Sequence, residues 1–411
     1  LETAEYLTER IDKLGGPESY NHFAVGWAHA LNTPYQWTKQ VASHFGGTRN
    51  GTIVHWPKGI QAKGELRTHF AHVIDVAPTI LEAAGIPEPV SVDGIQQDPI
   101  DGVSMLKTFN DARAPEVHET QYFEVMGNRA IYHKGWTAVT KHYTPWIPNV
   151  KPALDDDVWE LYDTTTDWAQ AKDLSKEMPD KLRELQRLWI IEATRNKVLP
   201  IDDRMFEKIN PDTAGRPTLV KGKTQLLAGG MSHLGENCVL NIKNKSHSVT
   251  AAIVVPQGGA EGVIIAQGAD IGGWSLYAKG GKLKYCYNWG GFKHFMIEGA
   301  SVMAPGEHQV RMEFAYAGGG LGKGGKVTLY VDGQKDGEGE VGATLAMIFS
   351  ADDGLDVGKD GGSAVSPDYK PGNNSFNGKV KGVQLAIDEA AEDLDHLLDP
   401  ADVIRMAMAR Q

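Results

Sequence analysis

The sequence predicts a mixed α/β unit followed by an all-β unit. Three observations predict it. Helix and strand signals alternate up to about residue 210. Beyond that point helix signals nearly vanish, and short strand-like segments recur between glycine-rich turns. A polar, proline-bearing stretch, "LPIDDRMFEKINPDTAGRP" (199–217), lies where the pattern changes. The expected organisation is a first unit over 1–205, with a small antiparallel sheet and a helix inside it over about 120–200. A linker over 206–217, a β-sandwich or jelly roll over 218–388 and an acidic, then helical tail over 389–411 follow.

"LETAEYLTERIDKLGG" spaces Ala4, Leu7, Ile11 and Leu14 on one helix face and stops at Gly15. "TIVHWP" (52–57) is short and apolar and reads as a buried strand. In "THFAHVIDVAPTILEAAGIP", Asp75 reads as a cap, Pro78 fits a first turn and Gly85 ends the helix. Ala77, Ile80, Leu81 and Ala84 would form its apolar face. "RAIYHKGWTAVT" (129–140) and "VWELYD" (158–163) read as antiparallel strands. "MPDKLRELQRLWIIEATRN" is a helix opened by Pro179, with Leu182, Leu185, Leu188 and Trp189 inward. In the second half "AKGGKL" and "VDGQKD" are hairpin signals. "GGGLGKGGK" (318–326) joins two strands and lacks the helix and Ser/Thr of a phosphate loop.

A chain of 411 residues can bury a large core. Its net charge of -12, with signs interspersed, argues against a nucleic-acid partner. No apolar run approaches a spanning helix, so no membrane partner is expected. Cys238 and Cys286 read as buried free thiols, with a single disulfide as the alternative; two cysteines make neither a disulfide framework nor a metal site. They favour a cytoplasmic setting, although the chain does not begin with Met and its compartment stays open.

Few residues announce chemistry. No G-x-S-x-G or H-E-x-x-H occurs. His69 and His72 are too few for a metal and read as packing or capping residues. "DDD" (155–157) reads as a solvated turn. Lys39, in "TKQVASHFGG", approaches a double-glycine turn ahead of the expected strand. A lysine at such a strand end can hold a tetrahedral anion, or it can be an ordinary surface charge. In the second half Trp274, Tyr277, Tyr287 and Trp289 are either stacking platforms for a glycan or core residues.

The ordered run "NTPYQWTKQVASHFGGTRNGTIVHWPKGI", "THFAHVIDVAPTILEAAGI", "DGVSML", "RAIYHKGWTAVT" and "WELYDTTTDWAQAKDLS" resembles the C-terminal half of type I sulfatases, in particular bacterial arylsulfatases with long C-terminal extensions. The resemblance implies the C-terminal part of an alkaline-phosphatase-like sulfatase domain. The later glycine-rich strands resemble an appended concanavalin-like jelly roll. In the family a formylglycine nucleophile and a calcium-type ion act on sulfate monoesters, and a lysine ahead of the Gly-Gly turn binds the sulfate or the leaving oxygen. By that match Lys39 is the catalytic anion binder. His22, Trp27, Asn32 and Tyr35, in the loop leading to Lys39, would then line the substrate pocket, the alternative being that the aromatics pack the loop onto the domain; His44 would stand at the pocket margin or be structural. The sequence contains no C/S-x-P/A-x-R motif, and no Asp-Asn-Gly segment precedes Lys39. Formylglycine and metal ligands are therefore expected outside this chain, which by itself should be inactive. The partners implied are a sulfate-ester small molecule, the missing N-terminal sulfatase segment, and a glycan or oligomer contact by the jelly roll. A phosphonate or phospho-ester hydrolase of the same superfamily, or a non-catalytic binding module, is the alternative.

Overall fold

The computed structural model describes residues 4–16, 24–92, 94–147 and 151–391. The chain divides into two compact units, Leu1–Met205 and Phe206–Gln411.

The first unit opens with α1 (Ala4–Thr8), α2 (Val25–Asn32), α3 (Phe45–Thr48) and α4 (Val76–Ala84). A two-residue ribbon, β1 (Ser91–Val92) with β2 (Ile95–Gln96), follows. Its main sheet is antiparallel, in the order β3 (Thr120–Val125), β4 (Asn128–His133), β5 (Trp136–Thr140), β6 (Glu160–Asp163). Two tight turns set the register. Met126-Gly127 (φ 55° and 82°) and Lys134-Gly135 (φ 47° and 84°) are left-handed pairs, the geometry that suits two-residue hairpins. Helix α5 (Pro179–Arg195) lays Leu185, Trp189 and Ala193 on Ile131, Ala138 and Leu161, and these six make one core. Pro179 sits in the first turn of α5, where its missing N–H removes nothing.

The second unit carries α6 (Pro211–Ala214) and two antiparallel sheets. One has six strands: β7 (Thr224–Ala228), β8 (His247–Val255), β13 (Gly306–Tyr316), β14 (Lys323–Val331), β15 (Gln334–Ala343) and β17 (Lys379–Ile387). The other has five: β9 (Gly262–Ala269), β10 (Gly272–Lys279), β11 (Lys282–Trp289), β12 (Lys293–Val302) and β16 (Leu355–Val357). Val249, Ile253, Met312 and Leu329 from the first meet Ile265, Trp274, Leu276 and Tyr285 from the second in one shared core. The hairpin signals are used as expected: Gly280-Gly281 joins β10 to β11, and Asp332-Gly333 joins β14 to β15, each with φ positive at both residues. Residues 206–217 fold within this unit, where buried Asn210 donates to Ala346 O at 2.7 Å.

Several expectations need correction. The segment 52–57 is irregular and exposed, with Ile53 at 96%. Among the described residues no strand lies beside it, so its backbone has no ladder to join. The first helix shrinks to α1 and a 3-10 turn, and Ile11 and Leu14 are exposed. In α4 the expected apolar face points to water: Ala77, Ile80 and Ala84 are exposed, whereas Asp75 and Thr79 are buried. Gly85 does end that helix in a left-handed cap. Asp157 is not solvated; it is buried against Arg129 and His142, and only Asp155 and Asp156 are exposed. Cys286 is buried, but Cys238 is exposed. Trp274, Tyr277 and Tyr287 fill cores, while Trp289 is 37% exposed. Most of the expected tail, 392–411, lies outside the described residues.

Candidate functional site

The loop that carries Lys39 is bound tightly from below. Lys39 itself is exposed. Trp37 (φ 66°) and Gln40 (φ 79°) flank it in the left-handed region. For side chains with a Cβ that conformation costs on the order of 1–2 kcal/mol each, so it persists only where the surroundings impose it. Immediately after it, Val41, Ala42, Ser43, His44 and Phe45 are all buried.

Glycine at 46 and 47 follows from that packing. A Cβ on Gly46 would lie 2.1 Å from the Trp37 carbonyl oxygen, and one on Gly47 would lie 1.9 Å from that of Val41. Only a residue without a side chain lets α3 fold back onto the Lys39 loop. The close approach is used for hydrogen bonding. Gly46 N donates to Gln36 O at 2.9 Å, and Asn32 Nδ2 donates to Gly46 O at 3.1 Å and Trp37 O at 3.4 Å.

Side chains from the sheet region complete the support. Gln170, fully buried, accepts from Phe45 N at 2.8 Å through Oε1, and its carbonyl accepts from Gln36 Nε2 at 2.6 Å. Asn128, also fully buried, donates to Gln40 O at 3.4 Å and accepts from His142 N at 2.9 Å. His142 is held in turn by Asp157 at 2.8 Å and Asp203 at 3.2 Å, and Arg129 pairs with Asp157.

The expected site residues separate on inspection. His22 lies outside the described residues. Trp27 projects from α2 and is 69% exposed. Asn32 spends its amide on the loop backbone. Tyr35 is half-buried and packs edge-on against Phe45 and Trp168, with the Arg49 guanidinium 5.4 Å from its ring centroid. His44 is 1% exposed and bridges Ser43 Oγ (3.0 Å) and Glu160 Oε2 (3.0 Å). Its hydrogen bond, helped by that of Tyr162, holds the Glu160 carboxyl below its usual range against the upward push of burial. Lys39, Asn32, Tyr35 and His44 thus belong to one loop assembly, and Lys39 is the exposed residue of the four. Asn128, Gln170 and Glu160 went unnoticed in the sequence. Asn128 had one signal, its place directly after the Met126-Gly127 turn.

A second buried polar assembly explains the "DVAPT" and "DGVS" stretches. Asp75 accepts from His72 N at 2.7 Å, from Val103 N at 2.8 Å and from His118 Nδ1 at 2.8 Å. Burial pushes the Asp75 carboxyl up, but these three donors outweigh it and hold it below its usual range. Burial pushes His118 down, and the hydrogen bond and negative charge of Asp75, together with the bonds to Thr120 and Gln121, more than reverse that. Thr79 Oγ1 accepts from Met105 N at 2.9 Å, and Gly102 packs on the Ile74 carbonyl. This motif ties α4 to residues 102–105. His69 Nε2 meets Ala114 O at 2.6 Å and His72 caps the turn before α4.

Among the described residues, no group of three or more His, Cys, Asp or Glu could hold a metal ion. No described helix is long and apolar enough to cross a membrane.

Comparison with known proteins bears on the first unit. Residues 37–189 match the family described as N-sulphoglucosamine sulphohydrolase, C-terminal. An uncharacterized sulfatase of Schizosaccharomyces pombe is 29% identical over 210 residues, covering 50% of this chain and 36% of that protein. The chain thus spans about a third of the length of the curated relative it matches. Among solved structures, a Bacteroides thetaiotaomicron protein described under the metabolism of multiple glycosaminoglycans is 22% identical, with a TM-score of 0.29 over 38% of this chain and 31% of that one. The IT-sialidase CBM40 of Ruminococcus gnavus, solved with alpha2,3 sialyllactose, is 11% identical, with a TM-score of 0.28 over 46% of this chain and 98% of that one. Over residues 37–189, the stretch that opens just before Lys39, this chain is similar to the C-terminal region of a sulfatase family.

Proposed function

We propose that this chain is the C-terminal portion of an arylsulfatase that hydrolyses sulfate monoesters, with Lys39 binding the sulfate or the leaving oxygen. The observation that carries the reading is the family match over 37–189, which contains Lys39, Gly46, Gly47, Asn128 and Gln170. A formylglycine and a calcium-type ion would supply the attacking oxygen and polarise the sulfate when present. The formylglycine motif is not in this sequence, and the reading assigns it and the ion's ligands to the rest of the protein. This chain's own contribution is the positive charge of Lys39, carried on a loop whose backbone is preorganised by its buried support. Such a preorganised charge stabilises negative charge that develops on the leaving oxygen.

The exposed apolar surface supports an incomplete first unit. Ile53, Leu66, Val73 and Ile80 are 96%, 87%, 75% and 61% exposed. In this reading those side chains are covered by another segment. We assign the cover to the preceding part of the same protein. The second unit is proposed as a jelly roll with a glycan or oligomer contact, for which Trp289 is the one accessible aromatic among the four named above. A cytoplasmic setting stays a proposal resting on two unpaired cysteines.

The test is hydrolysis of 4-nitrocatechol sulfate with calcium. Turnover by the whole protein, made in a host that installs formylglycine, with none by this chain alone, supports the reading. Turnover by this chain alone refutes it. Turnover of a phosphonate monoester in place of the sulfate by the whole protein moves the assignment to the phospho-ester branch.

A further inference from the structure

Lys141 stands apart from the other cations of the first unit. It follows β5 directly and is half-buried. Its ammonium lies 4.5 Å from the centroid of the Trp37 ring and 3.3 Å from Thr144 Oγ1. Among the described residues of that unit, every other half-buried or buried lysine or arginine has a carboxylate partner. Arg10 pairs with Glu9, Arg67 with Glu65, Arg129 with Asp157, Lys181 with Glu184 and Arg204 with Asp202. Lys141 has a hydroxyl and an aromatic face only. A hydroxyl and a ring face leave the charge of that ammonium without a counter-charge, so it stays available to an anion.

The ring beneath Lys141 belongs to the strained loop. Trp37 is one of the two left-handed residues flanking Thr38–Lys39, and Asn32 fixes its carbonyl. The loop that presents Lys39 therefore also seats a second unneutralised ammonium, contributed by a different element. Both groups occur in a chain of net charge -12. An ammonium with no carboxylate partner, seated on the ring of the loop that carries Lys39, offers a second positive charge to an anion bound there.

We propose that Lys141 forms a second anion subsite beside Lys39 and takes an additional oxyanion of the substrate, a carboxylate or a further sulfate. The preferred substrate is then a sulfate ester bearing a second negative group. The sulfate ester itself rests on the sulfatase reading; the anion subsite rests on the geometry alone.

The test is calorimetric titration of the whole protein, at low salt, with two non-hydrolysable probes, benzenesulfonate and 4-sulfobenzoate. The second carries one more carboxylate. The expected result is about tenfold tighter binding of 4-sulfobenzoate, the scale of one charge-assisted hydrogen bond. Lys141→Gln removes that preference and Lys141→Arg retains it. Equal affinities in the unmodified protein overturn the proposal, whatever the variants do. A preference that survives Lys141→Gln overturns it too, and so does failure of both probes to bind. A preference lost in Lys141→Gln upholds the subsite even if the whole protein hydrolyses no sulfate ester, in which case only the sulfatase reading falls. Loss of thermal stability in Lys141→Gln, with no probe preference in the unmodified protein, would overturn the subsite and leave Lys141 a structural partner of Trp37 and Thr144.

Discussion

Gly47→Ala should loosen the Lys39 loop, and the size of the effect follows from one contact. The new Cβ would sit 1.9 Å from Val41 O and 2.7 Å from its carbonyl carbon. Such contacts are not found below 3.0 Å, so α3 and the loop must part by at least 1.1 Å. Both sides are backbone, and neither can yield by a rotamer change. Overpacking of this kind costs about 1–3 kcal/mol. The shift also strains the bonds Gly47 N to His44 O and Gly46 N to Gln36 O, each 2.9 Å long and worth about 1 kcal/mol. A loss of about 3 kcal/mol in local opening energy speeds amide exchange about a hundredfold. Hydrogen exchange read by mass spectrometry on the peptide spanning 33–48 of the whole protein measures it. Gly26→Ala is the control, because that glycine lies within α2 with nothing within 4 Å of its added Cβ. There the substitution should slow exchange in α2, by about 0.5–1 kcal/mol. Unchanged exchange over 33–48 in Gly47→Ala would refute the claim that close backbone packing positions Lys39.

Two further predictions concern pH. His247 is wholly buried, burial depresses it to about 4, and its Nε2 has no partner. Its folded value lies below the unfolded one, so the second unit keeps this stability above pH 6.5. It loses about 3 kcal/mol as pH falls from 6.5 to 4; urea melts of His247→Gln should show a flatter acid limb than the unmodified protein. The Asp75–His118 pair acts at both limits. Asp75 is depressed, so its contribution is lost as pH falls through the acid range. His118 is raised, so its contribution is lost as pH rises above the usual imidazole value. Exchange protection of the α4 amides should therefore peak between those limits, and Asp75→Asn should flatten the profile.

The architecture was legible where local chemistry decides it. Left-handed turn pairs such as Gly280-Gly281 and Asp332-Gly333 announce hairpins, because few other residues tolerate that backbone. The 3.6-residue spacing of Leu185 and Trp189 announced the buried face of α5. Periodicity failed where the partner is not among the described residues. Residues 52–57 and the apolar stripe of α4 carry the pattern of a core, and the pattern cannot say whether the chain holds what covers them. Strand β12, "KHFMIEGASV", was missed because its exposed and buried positions alternate around polar and glycine residues. At the candidate site Lys39 and the double glycine were readable. Asn128 and Gln170 were not, since each acts from about 90 to 125 residues away through a buried amide that leaves no local pattern.

The most direct test of the account is the turnover of 4-nitrocatechol sulfate by the whole, formylglycine-bearing protein and by its Lys39→Ala variant. Lys39 is exposed and no described side chain packs its fold upon it, so the variant should keep its melting temperature. Loss of one preorganised charge at the leaving oxygen should lower kcat by about 10²–10³-fold. A variant that melts normally and turns over normally would contradict the central claim that this loop exists to hold a cation against the sulfate.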